Sequence, residues 1–255
     1  MKKLTKLLST LVIVSMIFGS LNVSADSTQE EVLLFEEEQI TDIDTLIERA
    51  KNGITDIPVN ESKRSIISLK SNKSIANTQS LAQSTETDEL VLEEQYETTQ
   101  KIKTVQKGNE ITETFSTTTI AVLADGSSYQ TQPDSSGGVV AYSTVTYDKR
   151  QQNNLDTYKL IKVSGGWNRH DSSINMNDRW YTFGASGNSF DGGFAVTQAS
   201  GKNETSLNAF QKNAPSSWKY VVKDNSTFFV FGVTSSITLT RGTSSKWNIL
   251  LIHNF

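Results

Sequence analysis

The chain has 255 residues, a formal net charge of −4, two histidines and no cysteine. Without cysteine there are no disulfides, thiolate metal sites or cysteine nucleophiles, so apolar burial alone must hold the fold. Residues 26–110 carry 18 acidic and 9 basic residues, whereas 111–255 carry 10 and 12, so the C-terminal part is not a basic nucleic-acid-binding surface.

Residues 1–25 have the pattern of a secretory signal peptide. Three lysines precede an apolar run, and small residues before Ala25 suit cleavage after it. The run is shorter than the about 20 apolar residues that a spanning helix needs. We therefore expect a secreted, extracellular protein with no transmembrane segment after cleavage.

Residues 26–59 form an acidic segment that contains one short helix. In "TDIDTLIERAKNG", Thr41 is the expected N-cap and Asp44, three residues on, completes a capping box. Gly53 is placed to end the helix. A helix of this length is marginal in isolation, so we expect it to dock or to fray.

Residues 60–89 are predicted to be a disordered linker. In 71–88, 11 of 18 residues are Ser, Thr, Asn or Gln. Such a composition cannot bury enough apolar surface to offset the entropy of ordering.

From residue 90 to 255 the pattern has period two, which predicts an antiparallel β domain, a sandwich or a barrel-like fold. Of 22 aromatic residues, 19 follow residue 110, which places the core here. The segments 96–106 and 110–124 read as strands joined by the turn "KGN". Further strands are expected at 138–149, 156–164, 179–185, 193–199, 218–223, 227–233, 236–242 and 246–255. In the last, Trp247, Ile249, Leu251, His253 and Phe255 share one face, and Leu250 and Ile252 are the apolar part of the other, so we expect a central, mostly buried strand.

The chemistry-bearing residues do not assemble into a known catalytic pattern. His170 lies in a polar loop and His253 on an apolar strand face, and no nucleophile motif accompanies either. Asp171, Asp178 and Asp191 occupy turn-like contexts, where aspartate bonds to its own backbone. "DSSINMND" clusters oxygen donors but lacks the calcium-loop spacing. We assign no catalytic residue, no metal ligand and no cofactor.

A binding role has more support from the loops around 164–191, where we expect residues 162–180 to be a connection between strands that turns at Gly165-Gly166. Aromatic rings there alternate with amide and carboxylate side chains, as carbohydrate or peptide recognition requires. The candidate ligand-binding residues are Trp167, Asn168, His170, Asp171, Trp180 and Tyr181. The alternative is that each ring fills the core.

"TTQKIKTVQKGNEITETFSTTTIAVL" and "YKLIKVSGGW" resemble segments of uncharacterised secreted β-rich proteins of low-GC Gram-positive bacteria, over about residues 90–180. The resemblance implies a β framework and no activity, and it carries no functional residues over to this chain.

We expect a non-enzymatic protein that binds an extracellular glycan, peptide or protein at or outside the cell envelope, through loops of the β domain. The alternatives are a secreted toxin or bacteriocin-like effector with an acidic pro-segment, and a secreted hydrolase that uses His170.

Overall fold

The structure is a computed structural model. It describes residues 30–57, 65–71, 90–125, 138–191, 193–223, 229–243 and 245–254. The predicted signal peptide, 1–25, lies outside the described residues, as does most of the predicted linker.

The elements in chain order are β1 (Glu31–Glu36), α1 (Ile43–Lys51), β2 (Ser65–Ser71), β3 (Leu90–Lys107), β4 (Glu110–Asp125), β5 (Val139–Gln152), β6 (Leu155–Arg169), β7 (Ile174–Ser189), β8 (Gly193–Val196), β9 (Asn203–Thr205), β10 (Ala209–Asn213), β11 (Val221–Val222), β12 (Val230–Arg241) and β13 (Ser245–Asn254).

The strands form two antiparallel sheets, so the prediction of a mainly β, antiparallel fold is confirmed. The larger sheet has the order β1-β3-β4-β5-β6-β10, and β11 also pairs with β6. The smaller sheet has the order β2-β13-β12-β7-β8, and β9 also pairs with β7. Strand β2 falls inside the range whose composition predicted a linker, because it completes the smaller sheet beside β13.

One apolar core lies between the inner faces of the two sheets. Phe115, Tyr147 and Trp167 come from the larger sheet, and Phe231 and Trp247 from the smaller. Strand β13 contributes every second residue from Trp247 to His253 and lies between β12 and β2. The prediction that this strand is central is confirmed, and burial is complete on its core-facing side and partial on the other.

Helix α1 packs on the opposite, outer face of the larger sheet. Leu46 and Ile47 bury there against Ile120, Val122 and Val140. Both faces of β4 are therefore covered, and every residue from 115 to 123 is buried. Within the described part of the chain, no helix is long and apolar enough to cross a membrane.

The helix ends differ in how well the sequence predicted them. The expected N-cap, Thr41, is wrong: Asp42 caps the helix, and its Oδ2 accepts from the Thr45 backbone N–H at 2.8 Å. The Asp42 carboxylate, one position later than Thr41, reaches the third helical N–H. Gly53, at φ 65°, ends the helix as predicted, with Ile54 N–H donating to the Arg49 carbonyl.

Several other boundaries needed correction. The two strands predicted at 227–233 and 236–242 are one, because β12 runs unbroken from Val230 to Arg241. Its pairing with β7 shifts register between Ser236 and Thr238. The short edge strands β1, β9 and β10 were not predicted. Each has few apolar residues facing the core, so period-two alternation is weak there.

The acidic segment is fastened to the larger sheet on both sides of the helix. Before it, the buried side chain of Gln100 accepts from Ile40 N–H at 2.8 Å and donates to Ile40 C=O at 3.0 Å. After it, Asp56 N–H donates to Thr99 C=O at 3.0 Å, and Ile57 packs on the core between the sheets. The segment thus passes from the outer face of the larger sheet to the interior.

Replacing Gln100 by Leu should lower the free energy of unfolding by about 1–3 kcal/mol, because both polar groups of Ile40 lose their partners in a buried site. Urea denaturation measures the change. Gln106→Leu is the matched control on the same strand, since Gln106 makes one bond, to Gly108 C=O. Equal destabilisation by the two variants would contradict the role of Gln100.

Ending the chain at Ile249 should abolish cooperative unfolding. The deletion removes buried Leu251 and His253 and leaves β12 and β2 without much of the ladder between them. Calorimetry of the shortened chain is the measurement. A cooperative transition at the wild-type Tm would contradict the central place of β13.

Candidate functional site

The stretch 164–191 is mostly two long strands, and the loop expected there is a four-residue turn, 170–173. Strand β6 belongs to the larger sheet and β7 to the smaller, so this turn carries the chain from one sheet to the other. Gly165 and Gly166 lie within β6 and do not form a turn. A Cβ at Gly165 would come within 2.6 Å of the Phe210 ring, so the glycine admits β10 against the strand.

Asp171 fixes this crossing. Its Oδ1 accepts from the backbone N–H of Ser173 at 2.8 Å and from the Ser173 hydroxyl at 2.7 Å, and its Oδ2 pairs with Arg241 on β12. The Ser173 hydroxyl, followed by its backbone N–H and the Arg241 guanidinium, lowers the pKa of Asp171 despite the opposing effect of burial. This carboxylate therefore joins the turn to β12.

Two of the candidate aromatic residues lie in the core. The Trp167 ring is 1% exposed and its centroid lies 5.7 Å from that of Phe210. The Tyr181 ring stacks on the same phenylalanine, Phe210, with ring centroids 4.1 Å apart. Neither ring reaches a ligand on the surface.

The remaining candidates occupy separate places. Asn168 is exposed near the end of β6 and His170 is exposed in the crossing turn. Trp180 is half-buried on the outer face of the smaller sheet, because consecutive strand residues point to opposite faces and Tyr181 points inward. The structure therefore does not bring the six predicted residues together, and Trp180 is the one that lines a groove.

That groove forms where β7 bulges. Trp180 pairs with Ser236 and Asn177 with Thr238, so Asp178 and Arg179 together oppose the single residue Ile237. Asp178 adopts φ 47°, a left-handed conformation that aspartate tolerates better than most residues. The bulge twists the strand and re-aims its side chains, as bulges do beside binding sites.

Strand β9 supplies the other wall of the groove. It pairs with residues 179–181 of β7, which sets Glu204 opposite Trp180. The groove has a volume of about 640 Å³. Its lining residues are Met176, Asn177, Asp178, Arg179, Trp180, Lys202, Glu204, Thr205 and Ser206.

The groove combines one aromatic face with charges that balance. Lys202 Nζ lies 5.8 Å from the centre of the Trp180 ring and 2.8 Å from Glu204. The hydrogen bond from Lys202, with its charge, lowers the pKa of the Glu204 carboxyl. Arg179 donates to Ser206 C=O at 3.3 Å, and burial lowers the pKa of its guanidinium. With Asp178, two cations and two carboxylates line the groove.

Sequence reasoning missed the β9 wall. Lys202 and Glu204 stand in "GKNETS", a polar run without apolar alternation. The available signal was that Lys202 and Glu204 are two residues apart, since this spacing places two opposite charges on the same face of an extended segment.

A second polar cluster, centred on Arg150, joins distant segments. Its guanidinium lies 3.8 Å from the centre of the Tyr220 ring and bonds to Glu110 at 2.8 Å and Asp191 at 3.0 Å. Burial, with the charge of nearby Asp148, raises the pKa of Tyr220 to about 12. Burial likewise raises the pKa of Asp148. These groups bond to each other, so the perturbed pKa values mark a structural network here.

The two histidines lie in different environments. His170 has the engaged Asp171 beside it, and His253 is buried with Nδ1 3.2 Å from both the Oγ and the backbone O of Ser143. Among the residues that the structure describes, no three His, Asp or Glu side chains cluster so as to hold a metal ion.

Comparisons with protein-family models, with curated proteins and with solved structures find no match to this chain.

His253 should make the fold less stable as the pH falls from about 6.5 to 4. Burial lowers the pKa of His253 to about 4, outweighing the backbone bond to Ser143. The unfolded chain binds a proton in this window while the folded one does not, so up to about 3 kcal/mol of stability is lost below it.

Chemical denaturation of wild type and His253→Asn at pH 7, 6, 5 and 4 measures this loss. The Asn amide stands where Nδ1 stands and does not titrate, so the stability of the variant should depend less steeply on pH. His170→Asn, in the exposed turn, is the matched control. An unchanged slope in His253→Asn would contradict the assignment.

Proposed function

We propose that this chain is a secreted, non-enzymatic binding protein that acts at or outside the cell envelope and recognises a neutral glycan in the groove beside Trp180. The observation that carries the proposal is an aromatic face, half-exposed on the outer side of a sheet, framed by planar polar and charged side chains.

The chemistry of the groove favours a polyhydroxylated ligand. The apolar face of a sugar ring packs on an indole, while amide, carboxylate and guanidinium groups bond to its hydroxyls. The two cations and two carboxylates leave no net charge to select an anion or a cation. A volume of about 640 Å³ lies within the range of small-ligand sites.

The groove also has a backbone frame of paired strands, which suits recognition. Five of its lining residues, Met176 to Trp180, lie on β7, and Glu204 and Thr205 lie on β9, which pairs with β7. Backbone held in a ladder needs little further ordering when a ligand binds. The predicted export would place the groove among extracellular glycans.

The toxin alternative draws on a different observation. Helix α1 covers Ile120, Val122 and Val140 on the outer face of the larger sheet, as a restraining pro-segment would. Dye leakage from liposomes, before and after trypsin nicking, separates this alternative from a binding role, since a glycan-binding protein leaves the vesicles intact.

Trp180→Ala should weaken glycan binding by roughly 30-fold, or about 2 kcal/mol, because it removes the stacking face. A glycan array and a pull-down on purified peptidoglycan identify the ligand, and calorimetric titration of the strongest hit measures Kd.

Thr182→Ala is the matched control, since Thr182 lies two residues on along β7 and outside the groove. Its Kd should stay within about twofold of wild type, as expected for a surface change. Equal affinities for the Trp180 and Thr182 variants would overturn the proposal, and so would the failure of every glycan to bind.

A further inference from the structure

Strand β1 presents apolar side chains to solvent on both of its faces. All six residues of the strand are exposed, among them Val32 at 53% and Leu34 at 52%. A strand on a folded domain normally buries alternate residues, so four consecutive exposed apolar residues need another explanation.

Strand β1 is also a free edge. It ends the larger sheet and pairs with Lys103–Lys107 of β3, at the tip of the β3–β4 hairpin. Its other edge has no strand beside it among the residues described. Alternate backbone N–H and C=O groups along that edge are therefore available to an added strand.

The apolar surface continues across the hairpin tip. Val32 pairs with Gln106 and Gln106 with Ile111, so the three side chains share one face, and Ile111 is 48% exposed. On β1 itself, the register shifts between Leu33 and Phe35, which leaves Leu34 without a partner on β3. The free edge thus has apolar side chains above and below it.

The charge around this edge is negative on balance, with five glutamates against three lysines of β3, one of which, Lys101, lies 5.7 Å from the centre of the Phe35 ring. Exposed glutamates flank the apolar residues on both sides: Glu30, Glu31, Glu36, Glu37 and Glu38. On the edge of β1 that pairs with β3, Glu31 lies opposite Lys107 and Glu36 lies opposite Lys103. Glu30, Glu37 and Glu38 have no such cross-strand lysine.

This charge pattern selects among occupants. A second copy adding its own β1 antiparallel would set Glu31 opposite Glu36 at both ends, and like charges directly opposite destabilise a ladder. Anionic lipid would meet the same repulsion. A strand with apolar residues between lysines or arginines would instead pair its charges with the glutamates.

We propose that β1 is a docking strand that binds a cationic, apolar peptide segment by β-strand addition. Main-chain hydrogen bonds along the free edge supply affinity, the apolar residues 32–35 contact alternate side chains of the added strand, and the flanking glutamates select basic flanks. This surface is separate from the Trp180 groove and does not depend on the function proposed for it.

Fluorescence anisotropy with two labelled synthetic octapeptides tests the proposal on the purified chain. Lys-Lys-Val-Leu-Val-Phe-Lys-Lys should bind at least about tenfold tighter than the same core with glutamate flanks, and more weakly at higher salt. Backbone N-methylation at alternate residues of the cationic peptide should abolish binding, because it removes the donors that the ladder requires.

Variants of the chain locate the surface. Leu33→Thr with Phe35→Thr keeps β-forming residues in an exposed strand and should weaken binding of the cationic peptide at least about tenfold. Phe194→Thr is the matched control, since Phe194 is 93% exposed elsewhere on the molecule, and should leave Kd within about twofold. Reversal of charge on one side, with Glu36, Glu37 and Glu38 changed to Lys, should reduce the preference for the cationic peptide, since only Glu30 and Glu31 then remain.

Four results would overturn the proposal. Equal affinity for both octapeptides would show that the glutamates do not select the peptide. Equal affinity for the N-methylated peptide would show that binding does not use strand addition. Self-association in sedimentation that Leu33→Thr with Phe35→Thr abolishes would assign the strand to a second copy. Co-sedimentation with phosphatidylglycerol vesicles that the same change abolishes would assign it to a membrane.

Discussion

Burial of apolar side chains between the two sheets is the interaction on which the rest of this structure depends. The chain has no cysteine, and its long strands are held chiefly by their ladders and by the core they enclose. The C-terminal strand shows the constraint most clearly, since Trp247, Ile249 and Leu251 all enter the core from its inner face. Large rings such as Trp167 and Trp247 each remove about 150–250 Å² from water, so a few of them account for much of the burial.

The same constraint decides where a ligand can bind. Trp180 and Tyr181 are neighbours in sequence, but a strand sends consecutive side chains to opposite faces. The core takes Tyr181, and Trp180 must then face outward. The bulge at Asp178 and Arg179 turns this outward face into a groove, and β9 closes its side. The candidate site thus results from the packing of the core together with the β-bulge in β7.

The acidic segment serves the fold as well as the surface. Its helix covers the outer face of the larger sheet, and Gln100 and Asp56 fasten the chain on either side. Strand β1 continues this segment onto the hairpin tip, where the glutamates oppose pairing between copies and favour a basic partner. Part of the negative charge excess of residues 26–110 therefore lies at a free sheet edge.

Local physics made part of this protein predictable. The turn at Gly108, the helix end at Gly53 and the alternation of β13 depend on backbone conformation and on period two, which neighbouring residues encode. The contacts of Gly165 with Phe210, and of Trp180 with Lys202 and Glu204, join residues more than twenty positions apart. No local pattern records such pairings, since they arise only when the two sheets pack. The sequence by itself determined a cysteine-free antiparallel β fold with an acidic helical segment. The tertiary structure decided which aromatic residues fill the core and which one faces solvent, because only sheet packing defines an inside.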